Sequence, residues 1–241
     1  MIWFEIRGAF GLLTTLGGGA ADVGEPGRFF AWFPLVGLTI GVPVALLTAL
    51  PLVPTDLRAL VALLGWVGLT GGLHLDGFAD SCDGLFVSAP PERRLDIMHD
   101  PHTGSWAVVG LIVLLIGKWI VLRTAPPLLT VVPPILGRWA MVLAAWHFPP
   151  SPLSGMGAHF RRGLGHVQVV IATALALIFS AAVLLAVNWR TICVVGAVPL
   201  IVWLTGRWAA RRLGGGLTGD VYGAICELTE WICLTLLSFL H

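Results

Sequence analysis

Charge is what this sequence has least of. Lysine, arginine, aspartate and glutamate make up 11% of its 241 residues and nearly cancel, at a net +1, whereas soluble domains carry roughly 25% charged residues. With a mean hydropathy of +0.90, this composition excludes an ordinary water-soluble domain. Residues 29–55 and 167–189 contain no charged residue at all, and a membrane-crossing helix needs about 20 residues. No basic stripe with interleaved aromatics is present, so nucleic acid is not an expected partner. The four cysteines, Cys82, Cys193, Cys226 and Cys233, have neither CxxC nor Cys/His ligand spacing. They read as small buried hydrophobes rather than zinc ligands or disulfides. HExxH, a nucleophile elbow and a Ser-His-Asp arrangement are also missing. Near the N-terminus, Glu5, Arg7 and several glycines replace the basic and apolar regions of a cleaved signal peptide, so the initiator methionine is expected to be retained.

What is there is apolar helix. The expected fold is all-α, a polytopic integral membrane bundle of about six to eight membrane helices, with residues 1–241 forming a single membrane-embedded catalytic domain. Candidate spans lie at about 31–53, 58–73, 104–123, 127–147, 167–189, 191–207 and 221–240. Residues 1–28 read as an amphipathic or partly inserted segment ending in a polar loop with Asp22, Glu25 and Arg28. The pairs Arg93-Arg94, Arg161-Arg162 and Arg211-Arg212 mark one side as cytoplasmic, the third pair joining the others only if 191–207 crosses fully.

Against this background, residues 76–100 hold six of the 13 acids: Asp76, Asp80, Asp83, Glu92, Asp96 and Asp100. A carboxylate is costly to desolvate without a partner. The stretch is helix-compatible to about Val87; Pro90-Pro91 breaks it, and Pro91 suits the first turn of a second helix through Met98. Asp76, Asp80 and Asp83, at i, i+4 and i+7, share one helical face. Their mutual repulsion disfavours a free helix, and a hard divalent cation such as Mg²⁺ or Mn²⁺ would reverse it. Asp96 and Asp100 offer a second carboxylate pair. The plainer alternative is a solvated polar segment between spans.

A second cluster runs Gly214-Gly215-Gly216-Leu217-Thr218-Gly219-Asp220. Gly-rich backbone leading into a helix start suits an anion; glycine packing with an N-cap at Asp220 is the alternative. Asp220, Glu227 and Glu230 share one face, the last two at membrane depth, where acids are functional candidates. Arg138 could bind phosphate, while Lys118 is expected to snorkel to the interface. His74, His99 and His102 flank the acids, and His74 could serve as a ligand or hydrogen-bond partner. The chemistry suggested is metal-assisted phosphoryl transfer at a membrane face.

The run Gly71-Gly72-Leu73-His74-Leu75-Asp76-Gly77-Phe78-Ala79-Asp80-Ser81-Cys82-Asp83-Gly84, followed by Arg93, Ile97-Met98 and Asp100, closely resembles the signature of the cobalamin synthase (adenosylcobinamide-GDP ribazoletransferase) family. Phe33-Pro34-Leu35-Val36-Gly37 resembles that family's first-helix motif. Gly216-Leu217-Thr218-Gly219-Asp220 with Gly223-Ala224, Glu227 and Glu230 resembles its C-terminal one. Thr15 stands where a basic residue is expected, and His102 where arginine is common.

The resemblance implies a Mg²⁺-dependent, multi-pass enzyme of the bacterial or archaeal cytoplasmic membrane, its active site facing the cytoplasm. It would join adenosylcobinamide-GDP to α-ribazole or its 5′-phosphate and release GMP. Its partners would be the corrinoid nucleotide, α-ribazole and the lipid bilayer, and a homo-oligomer is compatible with it. On this basis Asp76, Asp80, Asp83 and Asp96 are metal candidates. Asp83 and Asp100 are the catalytic candidates, and His74, Arg93, Arg138, Thr218, Asp220, Glu227 and Glu230 the substrate-binding ones. Asp80-x2-Asp83-Gly84 with Asp96-x3-Asp100 also resembles part of the CDP-alcohol phosphotransferase pattern, which implies Asp100 as base and makes phospholipid synthesis the second reading. A third is a cation-coupled transporter using Asp76, Asp80, Glu227 and Glu230.

Overall fold

The computed structural model describes residues 2–17, 25–151 and 161–241; the initiator methionine and Asp22 lie outside them. Among the described residues there are ten α-helices and no strand. They are α1 (Ile2–Leu13), α2 (Phe33–Thr48), α3 (Thr55–Thr70), α4 (Leu73–Phe86), α5 (Pro91–Met98), α6 (Ser105–Leu122), α7 (Val132–His147), α8 (His166–Val187), α9 (Cys193–Arg212) and α10 (Gly219–Leu240). Short 3₁₀ turns, Pro26–Trp32, Pro127–Val131 and Trp189–Ile192, run directly into α2, α7 and α9. Pro26 and Pro127 open the first two of these turns, where a missing N–H costs nothing.

Six segments are long and apolar enough to cross a membrane: Pro26–Thr48, Ser105–Leu122, Pro127–His147, His166–Val187, Trp189–Arg212 and Gly219–Leu240. Their outward faces are apolar. Val109, Ile112 and Ile116 of α6, Val170 and Ile178 of α8, and Leu200 and Leu204 of α9 are all exposed. Such a surface is stable only against lipid, where each helix satisfies its own backbone. Helix α7 is the centre, buried nearly all round and packed by α2, α8, α9 and α10. With no hydrophobic drive between helices in lipid, close packing holds them together. Gly37 and Gly41, one turn apart on α2, let it touch α7: a Cβ on Gly37 would fall 2.4 Å from the Pro134 carbonyl oxygen, and one on Gly41 would fall 2.4 Å from that of Val131.

The expected second span begins and ends three residues earlier than predicted, and the chain bends sharply where it ends. Helices α3 and α4 meet at 90° across Gly71 and Gly72, whose φ angles of +62° and +70° are left-handed. Glycine reaches that region without a Cβ penalty. The Gly72 N–H closes on the Val67 carbonyl at 3.2 Å, while Thr15 donates its N–H to Leu69 O (2.9 Å) and its hydroxyl to Gly68 O (3.1 Å). Thr15 thus serves the end of α3. After the bend, α4 lies against α10 and α6.

At the far end of α4, Arg94 Nη1 donates to Gly84 O and Leu85 O (3.0 and 2.9 Å), and Arg212 Nη1 also donates to Leu85 O (2.7 Å). The 93–94 and 211–212 pairs therefore lie at the same end of the bundle, and Trp189–Arg212 is long enough to cross fully. Arg161 donates to Phe148 O, two residues from Pro150, which bridges Leu217, so it lies at this end too.

A Gly37→Val substitution should overpack the α2–α7 contact at a cost of about 1–3 kcal/mol. The expected reading is a thermal midpoint in detergent lowered by roughly 2–10 °C.

Candidate active site

The start of α10 is fixed by backbone. Ser151 N–H donates to Leu217 O (2.9 Å) and Leu217 N–H to Pro149 O (3.0 Å). The helix cap is Thr218, whose hydroxyl accepts from the Val221 N–H at 3.4 Å. Asp220 is therefore not the cap but stands in the first turn, where the helix dipole favours a carboxylate. Helix α4 crosses this turn in contact, because Gly77 has no side chain: a Cβ there would fall 2.9 Å from Asp220 Cα. Asp76 and Asp220, 144 positions apart in the chain, are brought together this way.

Two cavities meet at the crossing. The inner one, about 190 Å³, is lined by Asp76, His74, His99, Thr218, Asp220 and Tyr222, with Leu13, Phe30, Phe33 and Met141 among its apolar wall. The outer one, about 350 Å³, is lined by Asp76, Asp80, His99, Asp100, His102 and Thr103. Asp76 and His99 belong to both.

Asp76, Asp83 and Asp220 all lie close enough to Asp80 for their charges to repel it. Asp83 has a further duty: its oxygens accept from the N–H groups of Gly104 (2.7 Å) and Ala107 (2.9 Å), which caps α6. Asp96 faces away from both cavities and pairs loosely with Arg93 at 3.9 Å, both being exposed. Asp100 accepts from the His102 backbone N–H (2.9 Å) and pairs with its ring Nδ1 (2.6 Å). Those two bonds, the backbone one foremost, hold its carboxyl below the usual carboxylate range, so it is ionised at neutral pH. Among the described residues, no three metal-ligating side chains converge on one point.

Below the inner cavity lies a buried ionic network. Lys118, the one lysine of the sequence, does not snorkel; it is 3% exposed and donates to Glu227 and Glu230 at 2.5 Å each. Trp66 of α3 covers its ammonium at 4.5 Å, a favourable cation–π contact. Arg138, fully buried, donates to the other oxygen of Glu230. Its Nη2 lies 3.4 Å from His74 Nδ1. Two cations and two anions sum to zero, the condition under which charges persist at membrane depth. Arg138, Glu227 and Glu230 thus stand behind the cavity wall, touching it through His74. Two of the four acids in the transporter reading, Glu227 and Glu230, are therefore paired with Lys118 and Arg138.

Sequence reasoning did not single out Phe30, Met141 or Tyr222, nor the place of Phe33 in the inner cavity wall or of His99 in both cavities. Tyr222, the sole tyrosine of the sequence, follows Gly219-Asp220 so closely that the second cluster could have flagged it.

Fold and site define a class: a polytopic membrane-embedded enzyme with an acid-lined cavity at one end of its bundle. Residues 5–238 match the family described as cobalamin-5-phosphate synthase. A protein of Synechococcus sp. named adenosylcobinamide-GDP ribazoletransferase is 36% identical over 250 residues, covering 98% of this chain and 97% of that one. Proteins with the same name from Herpetosiphon aurantiacus (37% identity, 88% of this chain and 86% of that one) and Deinococcus radiodurans (36%, 94% and 82%) are similar. No solved structure matches the chain. The chain belongs to the cobalamin-5-phosphate synthase family and is a transferase of cobalamin synthesis.

Removing Lys118 while leaving both glutamates should be severe. Lys118→Met is expected to cost about 3–5 kcal/mol, read as lost folded yield and a lower melting midpoint in detergent, and adding Glu227→Gln should recover part of the loss. Separately, Asp83→Ala should lose about 1 kcal/mol by uncapping α6, and Asp83→Asn, which keeps one acceptor oxygen of two, should melt between the alanine variant and the parent protein.

Proposed function

We propose that this chain joins adenosylcobinamide-GDP to α-ribazole, or its 5′-phosphate, to give adenosylcobalamin, or its 5′-phosphate, and GMP, with Mg²⁺ as the required ion. One observation carries the reading. In a chain of this family, Asp76 of α4 stands on the wall shared by a cavity closed by the Thr218-Gly219-Asp220 start of α10 and a second cavity lined by Asp80 and Asp100, which supports two substrates meeting beside carboxylates.

The donor set fits Mg²⁺. Asp76, Asp80 and Asp100 line the outer cavity with hard oxygen donors, and Mg²⁺ is commonly held by one or two carboxylates with waters and substrate phosphate. When bound, the ion would neutralise the diphosphate and the departing GMP phosphate. On this reading the ribazole 3′-hydroxyl oxygen attacks the phosphorus bonded to cobinamide, and the bond from that phosphorus to the GMP oxygen breaks. The hydroxyl proton passes to a carboxylate at the cavity wall, with Asp100 as the candidate. Asp83 acts through its cap on α6, which holds the residue 99–104 turn over the outer cavity. The arginine pairs at the cavity end of the bundle support a cytoplasm-facing site in the cytoplasmic membrane.

Purified protein in liposomes should release GMP from adenosylcobinamide-GDP only when α-ribazole and Mg²⁺ are both present; no cobalamin product under those conditions sinks the reading. Asp80→Asn should lower kcat by roughly 100-fold or more with insertion and melting unchanged, and near-normal turnover would remove the acids from the chemistry.

A further inference from the structure

Two residues that line the inner cavity, His74 and Tyr222, each carry a buried polar atom with no hydrogen-bond partner among the described residues. His74 is 2% exposed, and its Nδ1 faces the Arg138 guanidinium at 3.4 Å. A guanidinium has only N–H donors, so Nδ1 is the acceptor and the ring proton sits on Nε2. That Nε2 has no hydrogen-bond partner among the described residues, and neither does the Tyr222 hydroxyl; both atoms are buried. A buried polar group left without a partner is disfavoured. Both residues line the same cavity, opposite an apolar wall that includes Leu13, Phe30, Phe33 and Met141. Phe30 and Phe33 stack with centroids 4.4 Å apart, which gives that wall a rigid aromatic face.

We propose that the inner cavity is the pocket for the nucleoside acceptor. Its flat aromatic base lies against Phe30, Phe33 and Met141. The His74 Nε2–H donates to the one free ring nitrogen of the base, the Tyr222 hydroxyl bonds a ribose oxygen, and the ribose extends past Asp76 and His99 to the outer cavity. This rests on the ribazoletransferase reading and assigns its two substrates to different cavities.

The alternatives fit worse. A corrin ring system is too large for about 190 Å³. Guanine carries donors and acceptors on both edges, more than two groups can answer. Among the described residues that line the inner cavity there is no lysine or arginine for a diphosphate to meet, and Arg138 behind it is turned to Glu230. A benzimidazole is apolar except for its one free ring nitrogen, an acceptor that suits the His74 N–H. Arg138 and Glu230 then act as positioning residues that fix the donating tautomer.

Steady-state KM values for both substrates, measured in liposomes, test the assignment. A glutamine at position 74 can present its amide nitrogen where Nε2 stands, and an asparagine where Nδ1 stands. His74→Asn and Tyr222→Phe should each raise KM for α-ribazole about 10-fold or more, the equivalent of about 1.4 kcal/mol. His74→Gln should stay within about threefold of the parent, and KM for adenosylcobinamide-GDP should move by less than about twofold throughout. Leu12→Trp, at a half-buried position of α1 that also lines the cavity, gives the same reading from the apolar wall and should raise KM for α-ribazole alone. Unmoved α-ribazole KM values in an active protein overturn the pocket assignment, as does a rise confined to adenosylcobinamide-GDP. A parent protein that releases no GMP overturns the underlying reading instead.

Discussion

The pairing of Lys118 and Arg138 with Glu227 and Glu230 is the constraint around which this molecule is built. Four charges lie where water is absent, and each would be prohibitive alone. Together they sum to zero and tie α6, α7 and α10 at one depth, with α3 attached through Trp66 over the ammonium. His74 extends the network to α4. The helices carrying the candidate site are therefore registered against one another by the most expensive contacts in the structure, and the cavities sit directly above them.

The site itself is made by the absence of side chains. Gly77 lets α4 cross the first turn of α10, and Gly137 lets α7 approach the middle of α10, where a Cβ would fall 2.7 Å from Glu230 Cγ. Close crossings at these points place an acidic cavity next to an apolar one, with Asp76 and His99 on the shared wall. That division suits a reaction whose partners differ as much as a diphosphate and an aromatic nucleoside. The Asp83 cap on α6 adds a mechanical link from the acidic helix to the turn holding Asp100 and His102.

Much of this was legible in the sequence. The apolar runs located the spans to within a few residues, because lipid-facing and buried positions are alike apolar. The Pro90-Pro91 break and the helix from Pro91 to Met98 followed from proline's missing N–H. The 90° bend was not legible, since two glycines in a row permit a left-handed turn without requiring one. Lys118 was misread for a related reason: its snorkelling was argued from its own helix, while its partners lie 109 and 112 residues away. The acids of α4 were recognised as a group, yet their spacing could not show that both Asp83 oxygens turn to α6 or that Asp96 faces away.

The long separation between Lys118 and its partners bears on how the protein is made. Helix α6 enters the bilayer with an ammonium, and α7 follows with a guanidinium, long before α10 exists. Until the last helix is synthesised, those cations can only reach toward the interface along their own stems. Insertion of α10 delivers both carboxylates at once and draws the cations inward. The final helix is thus the closing piece of the bundle, and a chain ending before Gly219 keeps two cations at membrane depth with no counter-charge.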